Sequence, residues 1–453
     1  MSDDRADAPA CATKFNGAVQ VDGVTVDCGH LSFAYLMAPS KEAFLDQVGS
    51  TRENIAAYFK GRLSAFETHV NSLLRLQESR VKHLVSFARY GTFLQDMAAR
   101  LAGNAANLLV LSTRHIMACH LEWTPDRRRL GISAYDPNMP GRHVRVDCTN
   151  PDLLLRELPL EQFFPDYAEC AGDEPFVTVI SADIPYQQPS RLDYLDVAGS
   201  DGEMTQGHVL AMHQALAHGL PDVVEDLARQ RSPDSPENWI ALIAANNQQC
   251  MPGLAAALQK WQLKSIAAFA TPLLLRPLPH DDFIRLLAAR GPDGVPGFAV
   301  ALDNGNVGVI DAYAALLHRC NVAASDVADL LAARASTGEP GATSAYRAGN
   351  TGTINALGRI AGSFPLDPQD HLSLIAADGP TGRSGLAEAL LAGRRDFILL
   401  YGHVVNNVPV ALEAKRHLID SAAPWVDQAR ADGLADTVNA YNQLRTAWRL
   451  PPV

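Results

Sequence analysis

Three side chains, Cys28, His115 and Asp136, have the types and the order along the chain that nucleophilic catalysis requires. A cysteine attacks as its thiolate, a histidine takes the thiol proton and returns it to the leaving group, and a carboxylate holds the imidazole in the productive tautomer. The alternative is structural, because most free cysteines are small buried residues and a buried histidine is often held by an aspartate.

The element that would bring His115 to Asp136 is a predicted β-hairpin. Residues 108–123 and 130–135 are rich in strand-favouring residues, and the sequence TPDR at 124–127 has proline where a type I turn accepts it. Taken alone, the pair suits a catalytic and a structural role equally well. A turn centred on the Pro-Asp bond gives four opposed pairs on one face: Leu121 with Leu130, Cys119 with Ile132, Met117 with Ala134, and His115 with Asp136.

Cys28 is expected at the beginning of a buried helix, because the sequence CGHLSFAYLM that starts there is mostly apolar. A thiol at a helix N-terminus meets the positive end of the helix dipole, which favours the thiolate. Asp27 opposes this effect unless its carboxylate caps the helix. The donors expected for an oxyanion are the side chain of Gln20 and the backbone N–H groups of Cys28 and Gly29.

The rest of residues 15–200 has a mixed α+β pattern. Residues 1–14 are small and polar and are expected to be disordered, whereas 19–26 favours a short strand or hairpin. Apolar residues recur at spacings of three and four through 41–104, which predicts a helical insertion. After the hairpin, strands are predicted at 143–148 and 176–184, with a short helix around 153–164 between them.

After about residue 204 the sequence repeats itself with a period of 44 residues. A Leu-(Leu/Ile)-Ala-Ala block and a glycine each return at this spacing, which predicts helix pairs with a glycine-containing turn that stack on one another. We expect repeats over 204–404 and a helical cap over 405–453. The blocks begin at Leu242, Leu286, Leu330 and Leu374, and the glycines are Gly253, Gly297, Gly341 and Gly385.

The repeats resemble ankyrin repeats, although the ankyrin unit has about 33 residues. The additional residues are therefore expected in the loops between repeats. The second half is predicted to be an all-α solenoid that binds another protein.

Composition argues against several classes of protein. The formal net charge of −12 argues against non-specific nucleic-acid binding, and no apolar run is long enough to span a membrane. The N-terminus has no apolar signal region, so export by the general secretory route is not expected. The seven cysteines are scattered and contain no CxxC, which suits a reducing compartment. We expect no metal or cofactor, because zinc-ligand spacings do not fit the one conceivable set, His115, Cys119, His120 and Cys148.

Three blocks of the first half resemble a known family. VDCGHLSFAYLM around Cys28, STRHIMACHLEW around His115 and SAYDPN around Asp136 are similar to the blocks of the type III secreted effectors related to EspL and the Shigella enterotoxin, which also carry ankyrin-like repeats. The resemblance implies a papain-like cysteine protease delivered into a host cell. By position, Cys28 is the nucleophile, His115 the base and Asp136 the orienting acid. The chain is shorter than EspL and its repeats differ, so the host target does not carry over.

Two other functions are compatible with the sequence. Similar repeats follow a histidine-containing domain in OspC-like effectors, which use NAD to modify a host arginine by ADP-ribosyl or ADP-riboxane transfer. In that case Cys28 has no role and His115 contacts the dinucleotide. The other alternative is a non-catalytic ankyrin-type protein that binds its target through residues 204–453 alone.

Overall fold

The chain divides into two compact units in a computed structural model, Met1–Ser200 and Asp201–Val453. The predicted disorder of residues 1–14 lies outside the described residues. The structure describes residues 18–49, 51–64, 66, 82–101, 103–112, 115–149, 155–165, 167, 176–181, 195, 206–230 and 235–453.

The described part of the first unit is built around a six-stranded antiparallel sheet in the order β3-β8-β4-β5-β6-β7. A two-stranded hairpin, β1–β2, precedes it and turns at Asp22 and Gly23, as predicted. The elements of this unit are β1 Val19–Val21, β2 Val24–Val26, α1 Cys28–Met37, α2 Lys41–Val48, α3 Arg52–Phe59, β3 Lys82–Ser86, α4 Tyr90–Arg100, β4 Ala105–Leu111, β5 Ile116–Trp123, β6 Leu130–Tyr135, β7 Val144–Cys148 and β8 Phe176–Ser181, with 3-10 turns at Phe87–Arg89, Leu155–Glu157 and Leu160–Gln162.

Side chains alternate between the two faces of the sheet along each strand, and each face packs into its own hydrophobic core. Met117, Cys119 and Leu121 of β5 enter the core that α4 covers. Ala118, between them, enters the core formed with α1, α2, α3 and the β1–β2 hairpin. The general α+β expectation for this half of the chain is therefore confirmed, and α1 lies on one face of the sheet.

The predicted hairpin register is wrong by two residues. Leu121 opposes Ile132 and Cys119 opposes Ala134, so the turn is centred one residue later than expected. The cause is Arg127, which has a φ of 54° after the type I turn and lengthens the loop. Because a two-residue shift keeps every side chain on its face, the predicted apolar face is confirmed.

Two other sequence expectations fail in this unit. Residues 108–123 form two paired strands, β4 and β5, and not one, because the chain reverses between Ser112 and His115. The helical insertion over 41–104 contains strand β3, whose five residues are all buried and pair with β8. A short run that is buried on both faces has no period that distinguishes a strand from a helix.

Among the described residues of the second unit, the regular elements are helices, apart from an isolated β-bridge between Arg290 and Pro296. Between residues 253 and 420, each repeat has three helices in succession and not the expected pair, and in the first of these repeats the second helix is divided into two segments. The helices are α5 Gln206–His218, α6 Pro221–Gln230, α7 Pro236–Ala244, α8 Gly253–Gln259, α9 Leu263–Ala268, α10 Ala270–Leu275, α11 His280–Ala288, α12 Gly297–Asn304, α13 Val307–Arg319, α14 Ala324–Ala332, α15 Ala342–Ala348, α16 Thr351–Ala361, α17 Pro368–Ala376, α18 Gly385–Leu391, α19 Arg395–Asn407, α20 Leu412–Asp420, α21 Val426–Ala431 and α22 Ala435–Ala447.

Each 44-residue unit contains a third helix of nine residues, so the residues beyond a helix pair do not all lie in loops as expected. The Leu-(Leu/Ile)-Ala-Ala block ends this helix, and its last alanine adopts a left-handed conformation in all four copies, with φ between 43° and 47°. The periodic glycines lie at the start of the first helix and not in the turn between helices, which corrects the expectation. A Cβ on Gly297 would lie 2.8 Å from the Cα of Ala255 in the preceding repeat.

The end of the solenoid retains part of the period. Helix α20 begins at Leu412, 44 residues after α17 begins at Pro368. The two helices that follow begin at Val426 and Ala435, about 40 residues after their equivalents. The predicted cap is therefore a shortened further copy of the repeat. Across the described residues, no helix combines the length and apolar character needed to span a bilayer.

Candidate active site

Cys28 is the first residue of α1, and Asp27 caps this helix. The Asp27 carboxylate accepts a hydrogen bond from the backbone N–H of His30 at 3.0 Å, and its Oδ1 lies 2.8 Å from the His30 imidazole. Burial would raise the pKa of Asp27, but the hydrogen bonds with His30 and with the backbone of Gly29 outweigh burial and lower it. The carboxylate is thus committed to the helix end, which resolves the expected conflict between Asp27 and the thiol.

Helix α1 is fixed to the sheet by contacts with the sequence neighbours of both other candidates. The Ser32 hydroxyl donates to the carbonyl of Ile116, next to His115, at 2.9 Å. The Tyr35 ring stacks on Tyr135, next to Asp136, with ring centroids 4.6 Å apart. These contacts fix Cys28 relative to the start of β5 and the end of β6, next to which the base and the carboxylate lie.

His115 lies in the connection between β4 and β5, where Ser112 holds its backbone. The His115 N–H donates to the Ser112 hydroxyl at 3.0 Å, and the Ser112 N–H donates to the His115 carbonyl at 2.9 Å. The ring of Tyr167 stacks on the imidazole with centroids 6.0 Å apart. Sequence reasoning missed both residues, although a serine three residues before the histidine is a usual turn residue.

The His115 and Asp136 side chains are joined as predicted, although they are not directly opposed in the sheet. His115 Nε2 lies 2.7 Å from Asp136 Oδ1, and each side chain is only 8% exposed. Asp136 follows the last residue of β6, and its Oδ1 also accepts from the backbone N–H of Asn138 at 2.8 Å. Asp136 and Asn138 are separated only by Pro137 in the YDPN sequence, so the bond is local. It holds the carboxylate with Oδ1 toward the imidazole.

Asn138 also approaches the imidazole directly. Its side-chain amide nitrogen lies 3.3 Å from His115 Nε2. The other carboxylate oxygen of Asp136, Oδ2, is buried and has no hydrogen-bond partner among the described residues. Oδ1 therefore makes both described hydrogen bonds of this carboxylate, one with the His115 imidazole and one with the backbone N–H of Asn138.

The imidazole of His115 also interacts with Cys28. Burial would lower the pKa of His115, but hydrogen bonds with Asp136 and Cys28 outweigh burial and raise it to about 9. Since Asp136 takes Nε2, the nitrogen left for the thiol is Nδ1. The structure thus brings Cys28, His115 and Asp136 together, with the histidine between the thiol and the carboxylate.

The expected oxyanion donors differ in their environment. Gln20 is an exposed residue of β1, and no described hydrogen bond joins its side chain to Cys28, His115 or Asp136. The N–H of Gly29 is directed to the Asp27 carboxylate. No described hydrogen bond uses the N–H of Cys28, which leaves this group as the donor nearest to the sulfur.

The four residues considered for zinc do not share one environment. His120 Nδ1 lies 2.7 Å from the side-chain oxygen of Asn107. Cys119 points to the opposite face of β5, where burial raises the pKa of its thiol to about 12. The described residues contain no group of three side chains suited to a metal ion.

The arrangement can carry out nucleophilic chemistry at a carbonyl carbon. A base lies between a thiol and a carboxylate, the base and the carboxylate are shielded from water, and a helix N-terminus lies at the sulfur. No family model, curated protein or solved structure matches the chain. The assignment therefore depends on these contacts.

Proposed function

We propose that the protein is a cysteine protease in which Cys28 is the nucleophile, His115 the general base and Asp136 the orienting acid. The observation that carries the proposal is the position of one imidazole between Asp136, at 2.7 Å, and the Cys28 thiol. Burial alone would keep this histidine neutral, so its raised pKa reflects interactions with these two partners. A structural His-Asp pair does not require a thiol on the other ring nitrogen.

The reaction proceeds by acyl transfer through the sulfur. Nδ1 of His115 takes the thiol proton, the Cys28 sulfur attacks the scissile carbonyl carbon, and the N–H of Cys28 donates to the developing oxyanion. The imidazolium then gives its proton to the leaving amine, which leaves an acyl-enzyme. Water, deprotonated by the same imidazole, attacks the thioester and releases the acid and the thiol.

The biological setting is proposed from the family resemblance of the three sequence blocks. In this proposal the protein is a type III secreted effector that acts in the host cytoplasm, its first unit is papain-like, and its ankyrin-like repeats hold the host protein that Cys28 cleaves. The period of 44 residues and the stacked helices support a binding solenoid. A transferase that uses NAD would leave the contact between Cys28 and His115 without a function.

The proposal is tested by sequencing new protein N-termini in a host-cell lysate. The wild-type chain should generate new N-termini at one or a few host proteins, and Cys28→Ala should generate none while keeping the same circular dichroism spectrum. Cleavage that persists in Cys28→Ala would contradict the proposal. A mass gain on host proteins that requires NAD and persists in Cys28→Ala would instead support the transferase.

A further inference from the structure

The first unit contains a cavity at the opposite end of the β5–β6 hairpin from the candidate active site. Its volume is about 770 Å³, which is within the range of small-molecule sites. It lies between the hairpin loop, the second half of α4 and the end of β7. His115 precedes β5 and Asp136 follows β6, so the length of these two strands separates the cavity from the candidate catalytic residues. A ligand bound here would therefore not compete with the substrate of Cys28.

Arginines form a large part of the cavity lining. Of the eight described residues that line it, three are the successive arginines Arg127, Arg128 and Arg129, and none is acidic. No other run of three arginines occurs in the sequence. The whole chain has a net charge of −12, so the cavity is a local exception to its acidic character. A concave site lined by cations concentrates anions.

The hairpin loop places these three successive residues at one cavity. In an extended strand successive side chains point to opposite faces, but Arg127 interrupts the extended backbone with a φ of 54°. Thr124 closes the loop, because its N–H donates to the Arg129 carbonyl at 2.8 Å and its hydroxyl accepts from the Arg129 N–H at 3.0 Å. The Asp126 carboxylate accepts from the Arg128 N–H at 3.1 Å. The loop backbone is thus fixed before a ligand arrives, which lowers the entropic cost of binding.

Arg127 has a role within the fold and still brings its charge to the cavity. Its guanidinium group donates to the carbonyls of Leu101 and Gly103, at 3.0 Å and 2.9 Å, just after the end of α4. The indole N–H of Trp123, which also lines the cavity, donates to the carbonyl of Ala98 at 3.1 Å. Carbonyls are neutral acceptors, so these bonds hold the Arg127 guanidinium group in place without cancelling its positive charge.

The other two arginines interact with one carboxylate, that of Asp126. Arg128 Nε lies 3.7 Å from Asp126 Oδ2, and both side chains are exposed. The charge of Arg129 contributes to lowering the pKa of Asp126, after the larger effect of the hydrogen bond from Thr124. An exposed ion pair of this kind contributes little to stability. The three arginines and Asp126 carry three positive charges and one negative charge, so a net positive charge remains at the cavity.

We propose that this cavity binds a small molecule that carries several phosphate groups. A guanidinium group presents parallel N–H donors that fit the oxygens of a phosphate. A terminal phosphate group carries about two negative charges and three acceptor oxygens, so it can accept from more than one guanidinium group. A carboxylate has only two oxygens and one charge, which suits three neighbouring arginines less well. The bound molecule would join the hairpin loop to α4 and stabilise the first unit. This site does not depend on the proposed protease function.

Isothermal titration calorimetry of the full-length chain with inorganic tripolyphosphate tests the site. A single tripolyphosphate should bind, and Arg128→Gln with Arg129→Gln should weaken the binding at least about tenfold, because charge-assisted hydrogen bonds are lost. The matched control is Arg52→Gln with Arg145→Gln, which removes the same charge from two exposed positions outside the cavity. This control should leave binding unchanged. Equal weakening in the control would overturn the proposal.

Two further compounds identify the source of the phosphate groups. Tighter binding of ATP than of tripolyphosphate would support a nucleotide, with its base against Trp123. Tighter binding of inositol hexakisphosphate would support an inositol phosphate. Citrate that binds as tightly as tripolyphosphate, or no saturation by any of the three phosphate compounds at millimolar concentration, would overturn the proposal. Preferential binding of polyglutamate would also overturn it, since the occupant would then be an acidic protein segment.

The folding of the variant and the place of binding are checked separately. No described hydrogen bond uses the side chain of Arg128 or Arg129, so the double variant should keep the wild-type melting temperature. Hydrogen exchange of the wild-type chain requires no variant. Tripolyphosphate should slow exchange over 95–101 and 123–130, and exchange that is unchanged over both segments would overturn the proposal even if the variant does not fold.

Discussion

The two units of the protein differ in whether the contacts that hold their important residues are repeated along the chain or are made once. In the second unit the same contact is made repeatedly: four equivalent alanines end the third helix in a left-handed conformation, and the Arg290 and Arg334 guanidinium groups each donate to a carbonyl 44 residues later. In the first unit each contact at Cys28, His115 and Asp136 is made once. Contacts that are repeated can therefore be recognised by comparing the sequence with itself. A site that occurs once must be recognised from the residue types that its chemistry requires.

The largest effect should follow a change at a single-copy contact of the first unit. A Cβ on Gly91 would lie 1.7 Å from the carbonyl oxygen of Leu155 and 2.5 Å from that of Leu158. Gly91→Ala must therefore move α4 and break the bond from Gly91 N–H to Leu158, at a cost of at least about 3 kcal/mol. Hydrogen exchange measured by mass spectrometry should rise over 105–111. Exchange that rises equally over 297–361 would show that the two units do not unfold separately.

A smaller effect is expected at a repeated contact of the second unit. Gly297→Ala places its Cβ 2.8 Å from the Ala255 Cα, so one repeat interface must open, which should cost about 1–3 kcal/mol. Gly308→Ala is the matched control, because its Cβ meets nothing closer than 3.4 Å and its helix gains propensity. Denaturant unfolding should show a loss for the first variant and no loss for the second. Equal losses would mean that the periodic glycines are not sites of close approach.

The contributions of His115, in the first unit, and His213, in the second, to the stability should depend on pH with opposite signs. The pKa of His115 is about 9 in the folded chain against 6.5 ordinarily, so its contribution is complete below pH 6.5 and is lost as pH rises through 9. Burial lowers the pKa of His213 to about 4, so its contribution is complete above pH 6.5 and is lost as pH falls toward 4. Each amounts to about 3 kcal/mol.

Calorimetry between pH 4 and pH 10 checks these slopes. His115→Gln should remove the alkaline slope of the first unit and leave the acidic slope of the second. His213→Gln should do the reverse. An alkaline slope that survives His115→Gln would mean that another group of the first unit carries it.

The sequence predicted the three candidate residues and one apolar face, because these depend on residue type and on a period of two. It did not predict the hairpin register, since a single residue with positive φ, Arg127, shifts the turn. Strand β3 was missed because its partner β8 lies far along the chain, and such pairings have no local signal. The 44-residue period was evident in the sequence, yet the third helix was not, because a period gives the length of a unit and not its number of helices.

The central claim, that His115 activates Cys28, is tested most directly by alkylation with limiting iodoacetamide near pH 6. Cys250 provides an internal reference, because it is exposed and free. An ordinary thiol has a pKa of about 8.5 and reacts slowly at this pH, whereas a thiolate paired with imidazolium reacts readily. Peptide mass spectrometry should show Cys28 labelled about 100-fold faster than Cys250, with the difference removed by His115→Ala. Labelling of Cys28 at the rate of Cys250, or labelling unchanged in His115→Ala, would contradict the account.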